Sequence, residues 1–289
     1  MNKTDKLRGL LCSGKIVMAP GAYDAWSARM IEKVGFPAIY MTGYGVSASM
    51  LGRPDIGLIS FAEMVEAARN ICNCTNIPVI ADADNGYGSS LNVVRTVQAY
   101  EQAGVAGIQL EDQVMPKRCG HMEGKQIIPK EEMVAKVRAA VYARKDPNMV
   151  IIARTDAIAV TNYEDAIDRA KAYKEAGADV IFVEAMQTED QVKNAARLVG
   201  APLMANMVEH GKTPLDTAEN LYQLGFRIAI YPVLPLYTAT KAIMDALKVL
   251  KDNEDLRKCQ SYEVDFPTFN EMIGLTHLRN LEKSFSCKK

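Results

Sequence analysis

Four times along this chain a segment of helical character runs into a glycine, and an apolar run follows at once. The copies are Glu32-Lys33-Val34-Gly35 before PAIYMTG, Glu101-Gln102-Ala103-Gly104 before VAGIQLED, Lys174-Glu175-Ala176-Gly177 before ADVIFVEA, and Tyr222-Gln223-Leu224-Gly225 before FRIAIYP. Glycine accepts the left-handed backbone that stops a helix. A short, bounded run rich in β-formers is what a parallel strand buried on both faces presents. Four more such runs stand at 15–19 (KIVMA), 77–82 (IPVIAD), 149–154 (MVIIAR) and 202–206 (PLMAN), which brings the strands to eight. Helical stretches at 60–72, 91–103, 131–144, 163–176, 187–198 and 215–224 separate them.

Alternating strand and helix requires a parallel sheet. Eight such units predict a (β/α)8 barrel of the TIM type, and the unit count disfavours the rival, a doubly wound open sheet. No low-complexity linker interrupts the series, so residues 1–289 read as one domain, with 251–289 as a C-terminal helical extension. That extension carries Met272, Leu275, Leu278, Leu281 and Phe285 at helical spacing, an apolar stripe suited to packing on the barrel or on a neighbouring subunit.

Composition narrows the function classes. The 289 residues are 48% hydrophobic and 24% charged with a formal net charge of −1, ordinary for a soluble enzyme. Basic residues form no long run, so a nucleic-acid partner is not expected. No stretch approaches the roughly 20 apolar residues needed to span a bilayer, and Met1 to Leu11 lacks the apolar core of a signal peptide. A cytoplasmic protein with no membrane association is expected. The six cysteines, Cys12, Cys72, Cys74, Cys119, Cys259 and Cys287, include no CxxC pair, so they suggest neither a zinc site nor a disulfide framework.

The apolar runs end in polar residues: Thr42, Asp82 and Asp84, Glu111, Arg154, Glu184 and Asn206. In a barrel these C-terminal strand ends converge on one mouth, where active sites are built. A single strand-end acid is more often a helix cap, but so many polar groups on separate strands are hard to explain as caps. Asp82, Asp84 and Glu111 offer the oxygen donors that Mg2+ prefers, with Asp84 the first choice as direct ligand; Mn2+ accepts the same donors. Alternatively, some of these acids pair with Arg154 or Lys117.

After the fourth strand comes Lys117-Arg118-Cys119-Gly120-His121. A thiol flanked by Lys117, Arg118 and His121 is expected to have a lowered pKa and to exchange a proton near neutral pH. The alternative is a surface loop with an idle thiol. Gly120 suits a lid that closes on substrate.

With these motifs on view, the sequence resembles the isocitrate lyase and phosphoenolpyruvate mutase superfamily from about residue 8 to 250. The residues that carry the likeness are Thr42-Gly43-Tyr44, read as a turn, LGRPDIG around Asp55, DADNGYG at 82–88, LEDQ at 110–113, KRCGH at 117–121, ARTDA at 153–157, Glu184 and ANM at 205–207. The resemblance implies a barrel whose last helix is exchanged between subunits of a homotetramer, and magnesium near Asp82 and Asp84. It implies that Thr42, Gly43, Tyr44 and Arg154 hold a 2-oxo-acid half. Cys119, with Gly120, would lie on a mobile loop and protonate the leaving half.

Within that resemblance the Lys-Arg-Cys-Gly-His loop argues for a lyase over a phosphonate-forming isomerase. The retained acids and Cys119 argue against a non-catalytic ligand-binding barrel. Methylisocitrate lyases hold a third carboxylate with two further arginines, whose positions here are Tyr237 and Phe269. An aromatic ring cannot replace an arginine clamp, so a smaller, more apolar substrate half is expected. The expected reaction is a retro-aldol type cleavage of 2,3-dimethylmalate to pyruvate and propionate. Methylisocitrate cleavage, oxaloacetate hydrolysis and 2-alkylmalate cleavage are the alternatives. Tyr44 is a candidate base or base-orienting group, Asp55 orders the metal waters or the base, and Lys117 counts among the catalytic set. Glu184, Asn206 and His121 are expected to bind the carboxylate that gathers charge.

Overall fold

Every expected apolar run forms a strand in the computed structural model, which describes residues 2–120, 122–209 and 211–286. In order they are β1 Val17–Ala22, β2 Ile39–Met41, β3 Val79–Asp82, β4 Gly107–Glu111, β5 Val150–Thr155, β6 Val180–Val183, β7 Leu203–Asn206 and β8 Phe226–Tyr231. Each pairs in parallel with the next, and β8 returns to β1, so the sheet closes in sequence order as the expected (β/α)8 barrel. The largest boundary difference is β1, expected at 15–19. It runs on through Pro20 and Gly21, which look like a turn in sequence. A side chain at Gly21 would lie 2.2 Å from the Pro232 carbonyl, so glycine there permits close backbone approach.

The glycine junctions behave as their chemistry requires. Gly35, Gly104, Gly177 and Gly225 have φ of 99°, 93°, 106° and 97°. After three of them the next amide reaches back into the helix it leaves: Phe36 to Ile31 at 3.3 Å, Val105 to Tyr100 at 3.2 Å and Ala178 to Tyr173 at 3.1 Å. This 6→1 bond satisfies a helix-end carbonyl while turning the chain into the strand.

Two helices were not expected. Lys3–Leu11 lacks apolar periodicity, yet its Leu7 is fully buried in the cluster that fills the barrel. Gly43–Leu51 replaces the expected Thr42-Gly43-Tyr44 turn: Thr42 is its N-cap, accepting from the Gly45 amide at 3.3 Å. Its small residues, GYGVSASML, give no amphipathic signal.

The core has two layers. Outside the sheet, residues such as Met64, Ile71, Val97, Leu110 and Ile151 seal the helices to the barrel. Inside, Tyr40, Ile80, Ile152, Phe182, Met204 and Ile230 fill it. Burying each large apolar side chain contributes about 1.5–3 kcal/mol. Because side chains alternate along a strand, the residues two places after Ile80, Gln109, Ile152, Phe182 and Met204 also point inward. These are Asp82, Glu111, Arg154, Glu184 and Asn206. The apolar filling of the barrel therefore sets the register of its polar mouth.

The chain divides into two compact units, one ending at Leu236 and the other beginning at Tyr237. In the second, the expected helical stripe is split into Phe266–Met272 and Leu275–Phe285 by Gly274, whose φ is 85°. Among the described residues no helix is long and apolar enough to cross a membrane.

Candidate active site

At the mouth, the segment between β4 and the helix Lys130–Ala143 folds back over the strand ends. An isolated bridge between Gln113 and Ile127 closes its base. Inside it the Lys117 ammonium lies 2.7 Å from both Asp55 and Asp84, with all three side chains at most 3% exposed. The Cys119 amide donates to the Asp55 carbonyl at 3.2 Å. Gly57, at φ 78°, lets the LGRPDIG segment press on this loop, since a side chain there would lie 3.2 Å from Pro116. Gly120 is flush with the far wall. A β-carbon on it would lie 2.7 Å from Arg154 Nη2 and 3.0 Å from Glu184 Cδ. Farther along, Lys125 Nζ donates to the Gly120 carbonyl at 2.6 Å and to Asp156 Oδ1 at 2.8 Å.

Arg154 is aimed by the same aspartate. Its Nε donates to Asp156 Oδ2 at 2.8 Å and its Nη2 to Oδ1 at 3.0 Å. Glu111 and Glu184 stand 3.5 and 3.6 Å from the guanidinium, and the Phe182 ring lies 5.1 Å below it. Asn206 donates to Glu184 at 3.2 Å. On the β3 side, Asp82 accepts from the Asp84 amide at 3.1 Å and from Gln109 at 3.4 Å, and Gln109 accepts from the Tyr40 hydroxyl at 3.0 Å. Gly43 sits against Asp82, its missing β-carbon 2.6 Å from Oδ2. Asp84 and Tyr87 hold left-handed backbone, φ 48° and 60°, a conformation that costs on the order of 1 kcal/mol or more and concentrates at functional sites.

The electrostatics follow from burial. Desolvation pushes the Asp84 carboxyl up to about 6 against the pull of Lys117, with Asp82 and Asp55 adding to the rise. Burial raises Glu111 well above the usual carboxylate range despite Arg154. Burial opposes the charge on Lys117, but Asp84, Asp82 and Asp55 outweigh it and hold the ammonium on.

The structure thus gathers Thr42, Gly43, Asp55, Asp82, Asp84, Glu111, Lys117, Gly120, Arg154, Glu184 and Asn206 at one mouth. Tyr44 and Cys119 are half-buried there. Two refinements follow. Thr42 uses its hydroxyl as a helix cap, and of the three acids Asp84 and Glu111 face Lys117 and Arg154, at 2.7 and 3.5 Å, while Asp82 accepts from the Asp84 amide and Gln109. The basic neighbours of Cys119 are also engaged elsewhere: Lys117 with Asp55 and Asp84, and Arg118 with the Glu123 carbonyl at 2.7 Å. His121 lies outside the described residues. Tyr237 and Phe269 belong to the second unit and are 48% and 40% exposed. Sequence reasoning missed Asp156, Lys125 and Gln109. Asp156 was within reach, since the i, i+2 spacing that links Asp82 to Asp84 also links Arg154 to Asp156. Lys125 follows no periodic signal.

Comparison with known proteins places this arrangement. The family model for phosphoenolpyruvate phosphomutase matches residues 7–251. The chain is 49% identical over 286 residues to 2,3-dimethylmalate lyase of Eubacterium barkeri, covering 99% of each. This chain belongs to the phosphoenolpyruvate mutase/isocitrate lyase superfamily. It is also 45% identical to the 2-methylisocitrate lyase of Halalkalibacterium halodurans, covering 95% of this chain and 94% of that one. Among solved structures, oxaloacetate acetylhydrolase with the inhibitor 3,3-difluorooxalacetate superposes with a TM-score of 0.92 at 37% identity, covering 98% and 97%. These relatives mark the chain as a lyase of the superfamily.

Superfamily membership implies magnesium, and the donor set can be tested for it. Among the described residues no three acidic, histidine or cysteine side chains form a ready-made cage. Mg2+ needs none, since it keeps several waters and takes one or two carboxylates. Asp84 Oδ2 and Glu111 Oε1 are buried without a hydrogen-bond partner among the described residues, a costly state for acceptors. Asp55, Asp82, Asp84, Glu111, Asp156 and Glu184 outnumber Lys117, Lys125 and Arg154, six acids to three bases, all but wholly buried. The residues fit a divalent cation.

Proposed function

We propose that the protein cleaves 2,3-dimethylmalate to pyruvate and propionate. The observation that carries this reading is the seating of the Cys119 loop against Arg154 through Gly120 and against Asp84 through Lys117, beside oxygens of Asp84 and Glu111 that have no hydrogen-bond partner among the described residues. Asp84, with Asp82 and Glu111 directly or through water, would hold Mg2+, or Mn2+ in its place. When bound, the cation supplies Lewis acidity toward the substrate's C1 carboxylate and C2 oxygen. Arg154, fixed by Asp156, holds the oxo-acid half and steadies the C2 oxygen that becomes the ketone, and Thr42, Gly43 and Tyr44 border the same half. The C2 hydroxyl loses its proton, with Tyr44 as base or as the group orienting it and Asp55 and Lys117 ordering the site. The C2–C3 bond breaks as C2–O becomes the pyruvate ketone. The bonding pair passes to C3 and its carboxylate, which Glu184, Asn206 and His121 accommodate. Cys119 Sγ delivers a proton to C3, giving propionate.

Support for the small substrate comes from Tyr237 and Phe269, which stand where the resemblance places two arginines of methylisocitrate lyases. The reading includes a cytoplasmic homotetramer, checked by light scattering on the purified protein. The deciding experiment is pyruvate release with Mg2+ from 2,3-dimethylmalate, 2-methylmalate and methylisocitrate, with oxaloacetate scored for oxalate and acetate. Preferred turnover of dimethylmalate is expected. Preferred turnover of methylisocitrate would overturn the substrate assignment and point to another cation for the third carboxylate.

A further inference from the structure

The loop from Gln113 to Ile127 grips the barrel mouth through two lysines, and Lys117 alone faces the acids suited to a cation. Lys125 does something different. Its side chain is 1% exposed and its ammonium bridges two groups, the Gly120 carbonyl at 2.6 Å and Asp156 Oδ1 at 2.8 Å. Gly120 is the residue after Cys119, and its backbone lies against Arg154 and Glu184 with no room for a β-carbon. Asp156 is the carboxylate that takes two bonds from Arg154, and its own amide is fixed by Asp112 at 2.9 Å. A single ammonium therefore ties the backbone beside the thiol to the carboxylate that aims the arginine. Other buried cations brace different parts: Lys136 donates to the Asn85 carbonyl and Arg169 to the Ile128 carbonyl and Asp112.

We infer that Lys125 is a positioning residue, which fixes the Gly120 backbone and so sets where Cys119 stands relative to the acid half gripped by Arg154. The inference rests on the reading of Cys119 as proton donor. Burial makes the bridge selective. A buried ammonium and a buried carbonyl both need partners, and this geometry lets one bond satisfy each. Without Lys125, Arg154 keeps both bonds to Asp156, so the oxo-acid half is still gripped. The loop, however, loses its inner anchor. The signature is a fall in kcat with little change in KM.

The test compares Lys125→Met with the wild type and with Lys130→Met, which removes a half-buried lysine whose ammonium pairs with Asp168. Two quantities are read on the Mg2+-supplied protein: pyruvate release, and alkylation of Cys119 by iodoacetamide followed by peptide mass spectrometry. For Lys125→Met, kcat should fall by about 10- to 100-fold, as expected for a donor displaced by about 1 Å. KM should rise no more than a few-fold, and Cys119 should alkylate about tenfold faster through local opening. Lys130→Met should change neither, and Lys125→Arg should recover part of both. Wild-type kcat and Cys119 reactivity in Lys125→Met would overturn the inference. Buried Cys72 reports global unfolding; should it react in Lys125→Met, Lys125→Gln is judged by the same criteria. If no substrate in the panel is turned over, the proposed function fails, while the alkylation rates still decide whether Lys125 holds the loop.

Discussion

Lys117 and Lys125 enter the mouth from one loop, eight residues apart, and meet opposite surroundings. Around Lys117 the acids are in excess. Asp55 and Asp84 share its ammonium, Asp82 and Glu111 stand near, and among the described residues Asp84 Oδ2 and Glu111 Oε1 have neither a hydrogen-bond nor an ion-pair partner. Burial drives Asp84 and Glu111 upward there. Around Lys125 the balance reverses. Burial opposes the Asp156 charge, but Arg154 and Lys125 outweigh it and hold the carboxyl well below its ordinary value of 3.8. Both of its oxygens are bonded. The same residue types thus build a saturated cluster around Lys125 and an undersaturated one around Lys117, the side where the proposed function puts the cation.

The largest expected effect involves neither cluster. Cys119→Ser, between the two lysines, should lower kcat by about a thousandfold, within the range for a lost general acid, with urea unfolding unchanged. Unchanged turnover would remove Cys119 from the mechanism. Next, Asp156→Asn should cost about 3–5 kcal/mol at neutral pH, the usual result of breaking a buried pair on one side. The sign follows from the lowered pKa: the contribution is complete above the unfolded value, near pH 4, and fades as pH falls toward the folded one. Urea midpoints of wild type and variant should therefore converge in acid; a constant gap from pH 7 to pH 3 would contradict the saturated reading.

On the undersaturated side, Mg2+ at about 100 times its Kd should stabilise the wild type by about 2.7 kcal/mol, seen as a rise of several degrees in Tm. Asp84→Asn should abolish that rise, whereas a full response in the variant would move the cation elsewhere. The smallest change lies on the rim. Thr42→Ala should cost about 1 kcal/mol through the lost cap of Gly43–Leu51 and leave the magnesium response intact.

How far the sequence reached can be judged residue by residue. Closure of the barrel was legible because Gly35, Gly104, Gly177 and Gly225 stop helices by a local backbone requirement. The strand-end residues were legible because their position repeats at the end of each apolar run. Asp84 as a strained, half-compensated acid was not, since its pKa depends on how many charges the fold brings together. Lys125 was invisible because its partners lie 5 and 31 residues away, joined only by how the loop lies on β5. The helix Gly43–Leu51 was missed because small residues carry no periodic stripe.

The bridge between Gln113 and Ile127 has one more consequence. By holding Gln113 and Ile127 side by side, it gives the Cys119 segment the closed base of an Ω-type loop. A closed base of this kind confines the loop's variation to what lies between two fixed posts, over a barrel whose strands close without it. What lies between them is tied down at several points: Lys117 on Asp55 and Asp84, the Cys119 amide on the Asp55 carbonyl, Gly120 flush against Arg154, and Lys125 on Asp156.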